Sequence, residues 1–150
     1  MNILILGSGG REHALAWAVK QNPKCDRLIV APGNAGIAQL AEVASINILD
    51  GAAVVTFCEE NAIDFVIIGP EAPLAAGVAD ATRAAGLLTF GPSAAAARLE
   101  ASKAFTKEIC DACGAPTADY GRFTEAALAK AHIRAKGAPI VVKADGLAAG

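Results

Sequence analysis

The chain has 150 residues, a net charge of −2 and a mean hydropathy of +0.42. This length allows one domain, or one domain and part of another, and 54% hydrophobic residues suffice for a sizeable core. The charge and the lack of Lys/Arg runs argue against nucleic acid as a partner. No apolar stretch reaches the roughly 18 residues of a membrane span, and the N-terminus lacks a signal-peptide pattern, so we expect a cytoplasmic protein.

Strand patterns alternate with helix patterns through the first 90 residues. We predict strands at 2–6, 27–31, 44–48, 64–68 and 87–90, with helices at 11–21, 50–61 and 74–85. Strands separated by helices or crossover-length segments favour an α/β fold with a parallel sheet. Ligands of such sheets bind at the carboxyl ends of the strands, where the Gly/Pro-rich turns of this chain fall.

The pattern changes after residue 93. We predict two alanine-rich helices at 93–100 and 102–113, a short strand at 120–123, a helix at 124–136 and a strand at 140–143. The sequence then ends in a glycine-rich stretch, 144–150, which closes no structural unit. We therefore expect the chain to be part of a longer protein.

The loop Gly7-Ser8-Gly9-Gly10-Arg11-Glu12-His13 follows the first strand and opens the first helix. Glycines allow close backbone approach, and free N–H groups at a helix start attract anions, so the loop predicts a phosphate site. A dinucleotide-binding fingerprint fits poorly because Glu12 stands at the third glycine position. The second strand also ends at Ala31-Pro32 without the ribose-binding acid. A tight turn without a ligand remains an alternative.

Three side chains near these turns are candidate ligand contacts. Arg11 can pair with a phosphate through two N–H groups, and Glu12 can accept from sugar hydroxyls or stabilise the helix start. Glu71, held between Pro70 and Pro73, is a positioned carboxylate at a strand end.

Together, these segments closely resemble the glycinamide ribonucleotide synthetase family of ATP-grasp ligases. The resemblance rests on Gly7–Ala14, Pro32–Gly36, Gly69–Leu74, Phe90–Ser93, Leu99–Phe105 and Val142–Gly150. It implies a Rossmann-like pre-ATP-grasp domain at residues 1–100 and the beginning of an ATP-grasp domain at 101–150.

The resemblance also implies an activity. Family members use ATP and Mg²⁺ (or Mn²⁺) to activate glycine as an acyl phosphate, which the amine of 5-phosphoribosylamine attacks in purine biosynthesis. By resemblance, the phosphoribosyl group would lie against Gly7, Gly9, Gly10, Arg11, Glu12, Pro70 and Glu71. ATP would contact Lys103, Lys143, Asp145 and Gly146, and residues 145–150 would be the first part of a mobile loop that covers its phosphates. The metal ligands are expected beyond Gly150, so we expect the 150-residue chain alone to have no ligase activity.

Two alternatives stay open. The first is another pre-ATP-grasp enzyme, such as a carboxylase or a formate-dependent purine ligase. The second is a nucleotide-binding module without chemistry. The segments Gly9–His13 and Gly69–Leu74 favour the synthetase. Nothing in the sequence specifies an oligomeric state.

Overall fold

The computed structural model describes residues 1–147, which form parts of two compact units, Met1–Arg98 and Leu99–Gly150. No helix in the described range is long and apolar enough to cross a membrane. The two units are treated separately below.

The first unit is built on a five-stranded parallel sheet. Its strands are β1 (Asn2–Gly7), β2 (Arg27–Pro32), β3 (Glu42–Val43), β4 (Phe65–Ile68) and β5 (Leu88–Phe90). Their order across the sheet is β3-β2-β1-β4-β5, and every neighbouring pair is parallel. The predicted α/β fold with a parallel sheet is confirmed. Because β1 is central, its carboxyl end at Gly7 lies between the ends of β2 and β4.

Five helices connect or follow these strands: α1 (Gly10–Lys20), α2 (Gly51–Glu60), α3 (Glu71–Ala75), α4 (Val78–Ala84) and α5 (Ala94–Ala101), which begins in the first unit. A 3₁₀ turn, Ile37–Gln39, follows β2. Asp50 caps α2 by accepting hydrogen bonds from the N–H groups of Ala52 and Ala53. The continuous helix predicted at 74–85 is wrong, because Gly77 adopts a left-handed φ of +83° and separates α3 from α4.

The third strand also differs from its predicted position at 44–48. Only Glu42 and Val43 form the ladder with β2, which ends with a hydrogen bond from the N–H of Ala44 to the carbonyl oxygen of Val30. Beyond it, Ile46 and Ile48 still pack on the core at every second residue after Ala44. Alternating burial does not require a hydrogen-bonded ladder. The sequence pattern therefore located the buried side chains but not the backbone pairing.

The sheet buries apolar side chains on both faces, as the period of two along a strand requires. One face packs against α2 and α4, and its buried members include Leu4, Leu6, Ile29, Val66, Ile68, Val54 and Val78. The other face packs against α1 and the 3₁₀ turn, and its buried members include Ile3, Ile5, Leu28, Val30, Ile67, Ala16 and Ile37. This two-sided core holds the strand ends rigidly at one edge of the sheet.

In the described part of the second unit, α6 (Lys103–Cys113) and α7 (Ala126–Lys136) are the regular elements that follow α5. The strands predicted at 120–123 and 140–143 are wrong, since both segments are irregular. No partner strand lies beside them among the described residues, and Val141 and Val142 stay 77% and 72% exposed. A strand requires a neighbour for its hydrogen bonds, whereas a helix forms its own.

Candidate functional site

A cleft of about 430 Å³ lies at the carboxyl ends of β1, β2 and β4. Its lining combines the glycine loop with apolar side chains from three other segments: Gly7, Ser8, Gly9, Glu12, Pro32, Ile48, Leu49, Pro70, Ala72 and Pro73. Four residues predicted for the site (Gly7, Gly9, Glu12 and Pro70) therefore line one cleft.

Glu12 is the most buried charged side chain of the cleft, with 3% of its surface exposed. Its Oε2 accepts a hydrogen bond of 2.7 Å from the N–H of Gly9, the N-cap residue of α1. Its Oε1 accepts a hydrogen bond of 3.0 Å from Nε of Arg11. A glutamate three residues after the N-cap satisfies an otherwise unpaired N–H at the helix start.

Three glycines provide the space that Glu12 occupies. A Cβ added to Gly7 would lie 2.5 Å from its Cγ, one on Gly69 would lie 2.7 Å from its Cδ, and one on Gly9 would lie 2.9 Å from its Oε2. All three distances are shorter than real Cβ contacts. The lack of a Cβ at these three positions therefore makes room for the side chain of Glu12, whereas the sequence pattern alone predicted room for a ligand.

The start of α1 retains free hydrogen-bond donors. The N–H groups of Gly10 and Arg11 occupy the first two helical positions and have no hydrogen-bond partner among residues 1–147. The helix dipole adds partial positive charge at this end. Backbone N–H groups at such a position favour an anion.

Arg11 joins the glycine loop to the predicted turn at Pro70–Pro73. Its Nη1 donates a hydrogen bond of 3.0 Å to Oε1 of Glu71, the first residue of α3. Hydrogen bonds to Glu12 and Glu71 raise the pKa of Arg11. The pKa of Glu71 is lowered, first by its own backbone N–H and then by Arg11. Since one guanidinium is shared by two carboxylates, Arg11 positions Glu71 and is not a free cation.

Several residues that line the cleft or contact its lining were not singled out as candidates from the sequence. Ile48 and Leu49 form part of its lining, and Asn34 donates a hydrogen bond of 2.8 Å from Nδ2 to the carbonyl oxygen of Ser8. The signal for Asn34 was present in the Pro32–Gly36 turn at the end of β2. For Ile48 and Leu49, no local motif distinguished lining residues from ordinary core residues.

In the second unit, three of the four residues predicted to contact ATP lie together. An Asp145 Oδ1 atom accepts hydrogen bonds from the N–H groups of Lys103 (2.7 Å) and Ala104 (3.3 Å) at the start of α6. Nζ of Lys103 donates to the carbonyl oxygen of Gly146 at 2.7 Å. Backbone hydrogen bonds, first that of Gly146, lower the pKa of Asp145. The 145–146 turn is thus tied to the helix start.

Lys143, the fourth of these residues, is exposed and has no hydrogen-bond or ion-pair partner in the described part of the chain. The remainder of the predicted ATP-covering loop, 148–150, lies outside the described residues. Residues 1–147 contain no group of three or more His, Cys, Asp or Glu side chains that could hold a metal ion.

Comparisons with known proteins agree along the whole chain. A family model described as phosphoribosylglycinamide synthetase, N domain, matches residues 1–100, and one described as the ATP-grasp (A) domain matches residues 101–150. A curated phosphoribosylamine–glycine ligase of Agrobacterium fabrum is 61% identical over 150 residues, covering 100% of this chain and 36% of that protein. A curated ligase of the same name from Rhizobium meliloti is 59% identical over the same coverage.

Solved structures give the same likeness. The crystal structure of phosphoribosylamine–glycine ligase from Thermotoga maritima matches with a TM-score of 0.74 and 28% identity, covering 98% of this chain and 34% of that one. The N5-carboxyaminoimidazole ribonucleotide synthetase of Thermus thermophilus matches with a TM-score of 0.61 at 24% identity, covering 91% of this chain and 37% of that one, and shares the fold alone. The chain spans 36% of the length of the first curated relatives that it matches.

Proposed function

Because the chain belongs to the phosphoribosylglycinamide synthetase family, we propose that the protein carrying it is an ATP-dependent ligase joining glycine to 5-phosphoribosylamine in purine biosynthesis. The resemblance drawn from the glycine and proline motifs is confirmed by the family match. Residues 1–100 are proposed to form the pre-ATP-grasp domain, and residues 101–150 to begin the ATP-grasp domain.

The proposed reaction balances as two substitutions. The carboxylate of glycine attacks the γ-phosphorus of ATP, ADP leaves, and an acyl phosphate forms. The amine of 5-phosphoribosylamine then attacks the carbonyl carbon of that acyl phosphate, and inorganic phosphate leaves with the proton that the amine gives up as the amide bond forms. Glycinamide ribonucleotide, ADP and phosphate are the products.

One observation carries the substrate assignment: the glycine loop and the Pro70–Pro73 turn converge on the same cleft. The free N–H groups of Gly10 and Arg11 suit the phosphate of a phosphoribosyl group. Glu71, half-buried and held by Arg11, suits its ribose hydroxyls as an acceptor. Glu12 fills the space that a third glycine leaves in dinucleotide-binding loops, which argues against NAD.

The second unit fits a polyphosphate in its donor chemistry. Lys103 and Lys143 are compact cations, and the glycine-rich stretch after Asp145 supplies backbone N–H groups. In the structure, Nζ of Lys103 donates a hydrogen bond to the carbonyl oxygen of Gly146. Binding of a phosphate by Lys103 would therefore exchange that hydrogen bond for one to the ligand.

A divalent cation, Mg²⁺ or Mn²⁺, would neutralise phosphate charge in such a transfer. The described residues provide no ligand cluster for it. We expect its ligands in the part of the protein that the relatives possess beyond this chain, and we expect the 150-residue chain alone to form no ADP.

Isothermal titration of the chain with ribose 5-phosphate and with NAD tests the substrate assignment. We expect ribose 5-phosphate to bind and NAD not to bind. Glu71→Gln should weaken binding of ribose 5-phosphate relative to that of inorganic phosphate, because it removes the carboxylate acceptor of the sugar hydroxyls, whereas the loss of the Arg11–Glu71 ion pair acts on both ligands alike. Glu60→Gln, at the exposed end of α2, is the matched control. Binding of NAD in place of the sugar phosphate would favour the nucleotide-binding module.

A second assay tests the reaction in the longer protein. We expect ADP formation that requires both glycine and 5-phosphoribosylamine. ADP formation that instead required bicarbonate or formate would favour the other pre-ATP-grasp enzymes.

A further inference from the structure

The turn between β2 and the 3₁₀ helix contains an asparagine that uses both ends of its amide. Nδ2 of Asn34 donates to the carbonyl oxygen of Ser8 at 2.8 Å, and Oδ1 accepts from the N–H of Ile37 at 2.9 Å. One partner can only accept and the other can only donate, so the amide has one productive orientation. A carboxylate in its place would face the carbonyl oxygen of Ser8 with a second acceptor.

The Ser8–Gly9 peptide is therefore held from both sides. Its carbonyl oxygen accepts from Asn34, and its N–H donates to Oε2 of Glu12 at 2.7 Å. Because a peptide unit is planar, two hydrogen bonds on opposite edges fix its rotation. This peptide immediately precedes the free N–H groups of Gly10 and Arg11.

Two further contacts hold the turn against the loop. The N–H of Gly33 donates to the carbonyl oxygen of Gly7 at 3.2 Å. Gly36 approaches the ring of His13 so closely that a Cβ there would lie 2.7 Å from Cε1. The asparagine thus sits in a turn that has little freedom to move away from Ser8.

We propose that Asn34 is a positioning residue for the phosphate subsite of the cleft. It locks the Ser8–Gly9 peptide, together with Glu12, so that the N–H groups at the start of α1 are pre-oriented for an anion. It acts through the backbone and does not itself contact the ligand. This inference rests on the proposed function and adds to it a residue from a third turn.

The test measures the binding of ribose 5-phosphate and of inorganic phosphate to the full chain by isothermal titration. Asn34→Ala should weaken both ligands about tenfold, since loss of pre-orientation equivalent to one hydrogen bond changes affinity by that factor. Both ligands should weaken equally because the subsite binds phosphate. Asn22→Ala is the matched control, because Asn22 makes a similar bond of 3.0 Å to the N–H of Lys24 beyond the other end of α1.

A pH comparison separates positioning from general loss of structure. Asn34→Asp places a carboxylate against a carbonyl oxygen near pH 7.5, and that repulsion raises its pKa above the ordinary value of about 3.9; protonation near pH 4 then gives it the donor that the amide had. Affinity of this variant relative to Asn34→Ala should therefore recover about tenfold on acidification. Glu12 and His13 face the same loop in both variants, so the ratio of the two affinities removes their contribution.

Each outcome decides the proposal. Equal affinities of Asn34→Ala and the unmodified chain would overturn it, and so would an Asn34→Asp variant that follows Asn34→Ala at both pH values. If the unmodified chain bound no sugar phosphate, the proposed function of the cleft would fail, and the inference would fail with it. Binding by the unmodified chain with no effect of the variants would refute the role of Asn34 alone.

Discussion

The packing of Glu12 against Gly69 leads to a sharp prediction for Gly69→Ala. Gly69 does not have a positive φ, so alanine meets no backbone strain there. The new Cβ would lie 2.7 Å from both Cγ and Cδ of Glu12 and closer still to its Oε1. Either the glutamate leaves its position, or the end of β4 shifts.

Both responses cost a similar free energy. If Glu12 stays, overpacking of a close-packed site typically costs about 1–3 kcal/mol. If it leaves, the charged hydrogen bond from Gly9 is lost, which is worth about 1.5–3 kcal/mol. The bond from half-exposed Arg11 adds at most about 1 kcal/mol because solvent screens it. We therefore expect Gly69→Ala to lower the free energy of unfolding by about 2 kcal/mol.

Urea titration measures this change through the fluorescence of Trp17, the one tryptophan of the sequence, which lies on α1. Gly10→Ala is the matched control, since a Cβ there meets no atom within 4 Å. At the first helical position that variant should equal or slightly exceed the parent in stability.

A double-mutant cycle isolates the contact itself. In a Glu12→Ala background the side chain that the new Cβ would meet is absent, so Gly69→Ala should lower the free energy of unfolding by less than about 0.5 kcal/mol. The coupling free energy between the two sites should then be about 1.5–2 kcal/mol. Additivity within about 0.5 kcal/mol would refute the reasoning that Gly69 is glycine because of Glu12.

Three further predictions concern other parts of the chain. Asp50→Ala should destabilise the first unit by about 1 kcal/mol in urea titration, because α2 loses its N-cap; Asp50→Asn should retain most of that stability. The pKa of Glu71 is lowered in the folded chain, so at pH values just below the ordinary pKa of 4.5 the unfolded chain binds more protons than the folded chain. The stability that this carboxylate contributes is therefore present above pH 4.5 and is lost as the pH falls through the lowered pKa. Glu71→Gln should flatten this loss in titrations between about pH 6 and pH 3; an unchanged acid-side slope would contradict the assignment. Burial raises the pKa of the Cys58 thiol to about 11, so exposed Cys113 should be alkylated well before it near neutral pH, as peptide mapping would show.

Much of the first unit follows from local pattern. Apolar runs such as 2–6 and 64–68 indicated strands because parallel strands bury both faces. Asp50 marked the start of α2 through its capping chemistry. The glycine loop was predicted to be an anion site because a helix start leaves N–H groups unpaired wherever it occurs.

Other elements could not be deduced in this way. The segments at 120–123 and 140–143 have strand-like composition, yet no strand pairs with them in the described residues. The predicted helix at 74–85 is interrupted at Gly77, where a left-handed φ was one of several conformations that glycine allows.

The glycine loop shows the same division most clearly. By itself the sequence determined that strand β1 ends in glycines, that Glu12 replaces the third glycine of a dinucleotide fingerprint, and that a helix begins there. Only the tertiary structure decided that Gly69, 57 positions from Glu12 in the sequence, makes room for that glutamate, and that Arg11 reaches Glu71. Helix starts and turns depend on neighbouring residues, whereas the cleft depends on which strand ends the sheet brings side by side.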